Sequence, residues 1–426
     1  MMTLSDATVL PFASIRSNGF LLLGGALIAI AAPALAAPLT FQQALARAQS
    51  NAPSLEGKRL GRQASQAART AAGALPDPKL SLGIDSFPIS GPLAFKPSKD
   101  NFTWVKVGLS QDFPNPAKRR AQRSRADADI TAAEADVALD ARNVEVETAV
   151  AWIKLAFAEQ RLVVVDKLQA GLDRLVRTTP NAVTAGTARP AQTLAGRQAL
   201  AELDDRREDL IAELGRARAE LTRWTGEVDP GIVGEMPSFS VDKPSLRASI
   251  DQNPLLAPVE ARIGQASADV RLAEAERKSD FGVDAAYQHR DPRFGDYVSA
   301  GVTISLPFFT RNRQNAAIAA RQALVGQAAA EREAAQRAIA ANLDAGLADH
   351  AMHHEQWLRS RLTLEPLARE RVELETASYG AGRASLVEVV DAHIALVNAA
   401  LTTLDREALV EIDGARLTLT YRSATR

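Results

Sequence analysis

Residues 78–87, PKLSLGIDSF, and 104–113, WVKVGLSQDF, decide the architecture. In the first, Leu80, Leu82 and Ile84 alternate with Lys79, Ser81, Gly83 and Asp85. In the second, Val105, Val107 and Leu109 alternate with Lys106, Gly108 and Ser110. Successive side chains of a strand point to opposite faces, so each segment presents one apolar and one polar face. The pattern returns later: Phe281, Val283, Ala285 and Tyr287 alternate with Gly282, Asp284 and Gln288, and Val298, Ala300, Val302, Ile304 and Leu306 alternate with Ser299, Gly301, Thr303 and Ser305. Strands are predicted at about 78–87, 102–113, 280–288 and 296–306. Such alternation suits a membrane barrel strand, apolar toward lipid and polar toward water, and equally a half-buried sheet in a soluble domain. On the membrane reading Val107, Leu109, Val283 and Val302 face lipid while Ser110 and Thr303 face inward. Four strands cannot close a barrel in lipid, where an open edge would leave backbone groups unsatisfied, so the barrel must be shared between chains.

Outward from the strands lie helices too long for a compact domain. Residues 117–175 contain no proline and one glycine, Gly171, and would extend roughly 90 Å. Residues 311–378 would reach about 100 Å. Within the first, Ile130, Val137, Val144, Ala151, Ala158, Val165 and Leu172 recur every seven residues, the spacing of a coiled-coil seam.

The chain also resembles itself. LARAQSNAPSL from Leu45 returns as LRASIDQNPLL from Leu246, GLSQDFPNPAKRR from Gly108 as GVTISLPFFTRNR from Gly301, and VTAGTARPAQTLAGRQAL from Val183 as YGAGRASLVEVVDAHIAL from Tyr379. An internal two-fold repeat is the expected organisation. The first repeat spans 37–229, with long helices at 117–175 and 187–225, and the second spans 243–426, with long helices at 311–378 and 383–420. The Gly- and Pro-rich segment 230–242 between them lacks periodicity and reads as a connector.

Composition excludes several functions. Aromatics are 5%, while Ala, Leu, Arg and Glu fill long stretches, the mix of extended helices packed through small residues. Lys+Arg 50 against Asp+Glu 51 leaves a net charge of -1, so no basic field exists to hold nucleic acid. With no cysteine there is neither a disulfide, a thiol nucleophile nor a lipid-modified N-terminal Cys. Arg16, the apolar run from Phe20 and the small-x-small triplet Ala34-Leu35-Ala36 read as a signal peptide over residues 1–36, with a mature chain from about Ala37. No later segment has 18 consecutive apolar residues, so no transmembrane helix is expected in the mature chain. No Gly-x-Ser-x-Gly elbow, phosphate-binding loop or His-Glu-x-x-His pattern occurs, and no catalytic residues or cofactor are expected.

The leader, the doubled helix and strand order and the two Gly-bearing turns together resemble the TolC-type outer-membrane factor family over nearly all of residues 40–420. Within that family ALPDPKLSLGIDSFP from Ala74, GLSQDFPNPAKRRA from Gly108 and PFFTRNRQNAAIAARQA from Pro307 are similar to the cobalt/zinc/cadmium efflux (CzcC-like) outer-membrane proteins. The resemblance implies a mainly α fold with a small β part. Three chains of four strands each would form a 12-stranded trimeric transmembrane β-barrel in outer-membrane lipid, continued into the periplasm by a long α-helical coiled-coil barrel. It further implies a homotrimer docked on a periplasmic membrane-fusion adaptor and an inner-membrane pump of the resistance-nodulation-division (RND) type, expelling heavy-metal cations and doing no chemistry of its own. A duct for drug efflux or type I protein secretion would use the same architecture, and a structural coiled-coil envelope protein is the alternative of a different class.

Four groups of residues carry the remaining expectations. The turns at Gly186 and Gly382, with Arg383 and Ser385, separate long antiparallel helices at the end far from the strands and are the expected periplasmic tip and adaptor-docking surface. Glu388 and Asp391 follow the second turn; threefold symmetry would make each a ring of like charges able to act as a pore constriction, against the plainer reading of surface carboxylates. His350, His353 and His354 place imidazoles at i and i+4, a metal-capable spacing. A solvated polar helix turn is the preferred reading there, since a duct that held metal tightly would stall, and no metal centre is expected. His289, in QHRDPRFGD, reads as an exposed loop residue.

Overall fold

The computed structural model describes residues 38–184 and 190–422. The expected leader 1–36, the expected mature start near Ala37 and the expected turn at Gly186 lie outside the described residues. Helix α1 (Phe41–Asn51) begins in a capping box: Gln43 N–H donates to Thr40 Oγ1 at 3.2 Å and Thr40 N–H donates to Gln43 Oε1 at 2.9 Å. It stops at Ala52, held extended (φ -63°, ψ 117°) because Pro53 follows, and α2 (Pro53–Ala71) starts on that proline, whose missing N–H would have had no partner there. Strands β1 (Lys79–Asp85) and β2 (Trp104–Phe113) lead to α3 (Pro116–Thr184) and α4 (Pro190–Thr225). After the connector come α5 (Lys243–Ala248), two short 3-10 turns and α6 (Ala257–Ala275), then β3 (Phe281–His289), β4 (Tyr297–Ile304), α7 (Gln314–Arg359), α8 (Glu365–Gly380) and α9 (Leu386–Tyr421).

The sheet is an antiparallel meander in the order β1-β2-β3-β4, with β1 and β4 as open edges. At 69 residues α3 is about 100 Å long and packs on α1, α2, α4, α6 and α9. Its heptad positions Val144, Ala151, Ala158, Val165 and Leu172 are each 0 or 1% exposed. Around mid-helix Trp152, Ile153, Leu155 and Phe157 join Phe41, Leu221 and Ile412 in one apolar cluster. Trp152 donates its Nε1–H to Leu39 O at 3.1 Å and meets Phe41 edge-on with ring centroids 5.6 Å apart, so the segment that enters α1 is tied to α3. The connector closes the same corner: Leu39 and Ile232 form an isolated parallel bridge. Farther from the sheet Leu172, Val176, Leu203, Leu386, Val390 and Val397 form a second cluster between α3, α4 and α9.

Two features depart from the sequence expectation. The helix expected to run through 311–378 is divided into α7 and α8 by a π-helical turn, Ser360–Leu364. Pro366 has no N–H to donate, and Arg406 of α9 inserts its guanidinium at the turn, donating from Nη1 to Gln356 O at 3.1 Å and to the buried hydroxyl of Ser360. Helix α9 is long and apolar enough by length and composition to cross a membrane, with a mean hydropathy of 1.4 in its most apolar 18 residues. Half of that stretch is buried against α3, α7 and α8, which makes it a core helix of the bundle.

Candidate functional site

Residues paired directly across a ladder share a face, so the register assigns every strand side chain. Leu80, Leu109, Ala285 and Ala300 form one row; Leu82, Val107, Tyr287 and Val298 another; Gln111, Val283 and Val302 a third. Val107, Leu109, Val283 and Val302 therefore lie on a single face, with Leu82, Val298 and Ile304. All large apolar side chains of that face are 38% exposed or more, Leu109 at 55% and Val302 at 69%. Such an apolar surface left open on a single chain marks a place where another apolar medium or chain belongs. Ser110 and Thr303 sit on the other face, with Lys79, Asp85, Lys106, Asp112 and Asp284. That face is the more enclosed: Ala286 is only 6% exposed and Gly108 is buried beside it.

The sheet is fastened to the helices at Asn115, between Pro114 and Pro116. Its Nδ2 donates to Asp280 Oδ1 (2.9 Å), Ala275 O (3.2 Å) and Lys278 O (3.3 Å), its backbone N–H donates to Asp280 Oδ1 (2.8 Å), and its Oδ1 accepts from Lys118 N–H (2.8 Å). Lys118 Nζ closes on Asp280 Oδ2 at 3.3 Å. One buried side chain thus caps α3 and locks the passage from β2 to that of α6 into β3. The Asn-Pro pair at the head of a long helix was a readable sign of this cap; its partner 165 residues away was not.

At the opposite end of the strands Arg290, 8% exposed, gathers both inter-strand loops. It donates to Gly295 O (2.6 Å), to Asn101 O (2.9 Å) and Oδ1 (2.7 Å), and to Tyr297 OH (2.6 Å), with the guanidinium 4.2 Å from the Tyr297 ring centre. The neighbouring His289 is exposed, with Nδ1 3.0 Å from Asp296 Oδ1.

At the far end of the bundle, α8 ends in a Schellman motif. Gly382 N–H donates to Tyr379 O (3.0 Å) and Arg383 N–H to Ser378 O (2.8 Å), with Gly382 at φ +73°. Gly382 and Arg383 are exposed and Ser385 is half-buried. Ser385 and Glu388 form a capping box on α9: Ser385 N–H donates to Glu388 Oε2 at 2.6 Å and Glu388 N–H to Ser385 Oγ at 3.4 Å. The backbone N–H of Ser385 holds the Glu388 carboxyl below its ordinary range. The sequence Ser385-Leu-Val-Glu388 is a capping signature, so the first task of this carboxylate is to start a helix. Asp391, three residues on, is exposed.

The three histidines of α7 do not converge. His353 Nδ1 lies 2.7 Å from Asp413 Oδ2 of α9, while His354 stacks toward Trp357 with ring centres 5.6 Å apart. Burial lowers the pKa of His350, whose ring centre is 6.3 Å from that of His354. Among the described residues no three His, Cys, Asp or Glu side chains are placed to share a metal.

The sheet thus has one apolar face, one polar face and two open edges, and it is mounted on a helical shaft about 100 Å long. Residues 246–420 match the family model described as outer membrane efflux protein. No curated protein sequence is significantly similar to the chain. Among solved structures, the fold is similar to that of a membrane protein from Pseudomonas aeruginosa (TM-score 0.76, 15% identity, 89% of this chain and 90% of that one). It is also similar to CusC, which forms a transmembrane channel (TM-score 0.74, 15% identity, 90% and 92%), and to the CmeC outer membrane channel of Campylobacter jejuni (TM-score 0.73, 12% identity, 91% and 87%). At these identities the likeness is one of fold, and it covers nearly the whole chain, whereas the efflux-protein match covers residues 246–420.

Proposed function

We propose that the chain is the outer-membrane exit duct of a tripartite efflux system: a homotrimer whose three sheets close a 12-stranded barrel in outer-membrane lipid and whose long helices form a periplasmic tunnel. The observation that carries this reading is the four-stranded sheet, apolar and exposed on one face, polar on the other, and unpaired along both edges. An edge strand in lipid must find a partner, and a second copy of the chain supplies β4 for β1. The internal two-fold repeat is part of the same reading, each half contributing one strand pair and one pair of long helices. The efflux-protein match and the shared channel fold support it.

The turns at Gly186 and Gly382, with Arg383 and Ser385, are the proposed docking surface for a periplasmic adaptor, which would connect the duct to an inner-membrane RND pump. Heavy-metal cations are the proposed cargo, on the likeness of GLSQDFPNPAKRRA and PFFTRNRQNAAIAARQA to CzcC-like proteins. Passage requires no catalytic residue and no cofactor, and His350 and His354 are dispensable for it.

Deleting the gene should sensitise cells to divalent transition metals and leave drug sensitivity nearly unchanged, with the protein running as a trimer in unheated outer-membrane fractions. The reverse sensitivity pattern would assign the duct to drugs, and a monomer in the cytosolic fraction would end the reading.

A further inference from the structure

The polar face of the sheet carries five charged side chains, and four of them cancel. Lys79 Nζ lies 2.7 Å from Asp112 Oδ2, and Lys106 Nζ lies 3.9 Å from Asp85 Oδ2. Asp284 is left over: it is exposed, and among the described residues its carboxylate has no ion pair or side-chain hydrogen bond. Its cross-strand neighbours are Ser110 on β2 and Gly301 on β4. A Cβ at Gly301 would come within 2.7 Å of Asp284 Oδ1, so the carboxylate lies over a position that has no side chain to cover it. The nearby Asp280, just before β3, is engaged by Asn115 and Lys118 and adds no free charge.

We propose that Asp284 sets the charge selectivity of the barrel lumen, drawing hydrated cations in preference to anions. This rests on the trimeric-duct reading, under which the polar face lines the pore and symmetry places three Asp284 carboxylates at one height. A ring of fixed charges inside a pore wall attracts counter-ions without binding them tightly, which suits passage. In a barrel of twelve strands each charge stands roughly 8 Å from the axis. With the Debye length about 10 Å at 0.1 M salt, three such charges favour a monovalent cation over an anion about tenfold at the ring. At 1 M salt, where the length is about 3 Å, the same ring gives less than about 1.5-fold. A divalent cation is attracted twice as strongly, so the device fits the proposed cargo.

The full-length chain reconstituted in planar bilayers tests this through the reversal potential in a KCl gradient, measured near 0.1 M and again near 1 M. Asp284→Asn should reduce the cation-to-anion permeability ratio at least about threefold at low salt and hardly at all at high salt, and Asp284→Lys should carry it toward anions. The charge-conserving pair Lys79→Gln with Asp112→Asn should leave the ratio where it was. A wild-type ratio in Asp284→Asn, or an equal shift in the double variant, would overturn the assignment of Asp284 while leaving the duct intact. A wild-type chain that opens no conductance would instead remove the duct reading on which the inference stands.

Discussion

Arginine at Leu109 distinguishes a sheet in lipid from a sheet in water. Leu109 is 55% exposed in the single chain and sits in the middle of β2, between Leu80 and Ala285. If that surface met water, exchanging an exposed leucine for arginine would change stability by no more than about 0.5 kcal/mol. If it meets hydrocarbon near the midplane, each arginine costs about 2 to 4 kcal/mol, or about 6 to 12 kcal/mol for three chains. The adjacent Ser110 provides the comparison, since its side chain points to the polar face between Lys79 and Asp284. Arginine there meets one charge of each sign in a wet environment and should stay within about 0.5 kcal/mol of wild type. Urea titration of folding into lipid vesicles reads the energies, and heated against unheated gels of outer-membrane fractions read assembly. Leu109→Arg should fold only at much lower urea and lose most of its trimer, while Ser110→Arg keeps both. Equal midpoints for the two variants, or a worse outcome for Ser110→Arg, would refute the assignment of the faces.

Two further outcomes concern the turn between α8 and α9. Gly382 occupies φ +73° with no heavy atom of the described residues within 4 Å of where a Cβ would be, so among them it is backbone conformation that opposes replacement. Gly382→Val should loosen the turn by about 2 kcal/mol and Gly382→Asn by much less; hydrogen exchange at Arg383 and Ala384, with adaptor crosslinking from neighbouring cysteines, measures both, and unchanged protection in the valine variant would count against the motif. The depressed pKa of Glu388 means that its capping contribution is present above the unfolded carboxyl value of about 4.3 and is lost as pH falls through the lower folded value. Amide exchange in the first turn of α9 should therefore accelerate, relative to the helix centre, on acidification below about pH 4, whereas Glu388→Gln, which keeps an acceptor but cannot titrate, should show no such step.

The amino-acid sequence by itself determined what depends on local periodicity. Alternation in PKLSLGIDSF and WVKVGLSQDF separated two faces, because strand side chains alternate whatever they meet; the seven-residue spacing from Ile130 to Leu172 marked the seam of α3 for the same kind of reason. Gly382 was legible as a turn, since a tight reversal favours positive φ. Ser385 and Glu388 were legible as a cap, and the like-charge reading of Glu388 passed over that nearer use of its carboxylate. Only the tertiary structure decided which faces meet. The register that puts Val107 beside Tyr287 and leaves Asp284 without a cation depends on pairings between halves of the chain. So does the bond from Asn115 to Asp280, 165 residues away, and that from Arg290 to Asn101, 189 residues away. The π turn at Ser360 needs a guanidinium from α9 as well as a proline nearby, so proline alone did not announce it. Charge pairing across strands and the burial of single polar groups are set by three-dimensional neighbours and leave no period along the chain. For that reason the two faces of the sheet could be read in advance, and the residues that fasten and charge it could not.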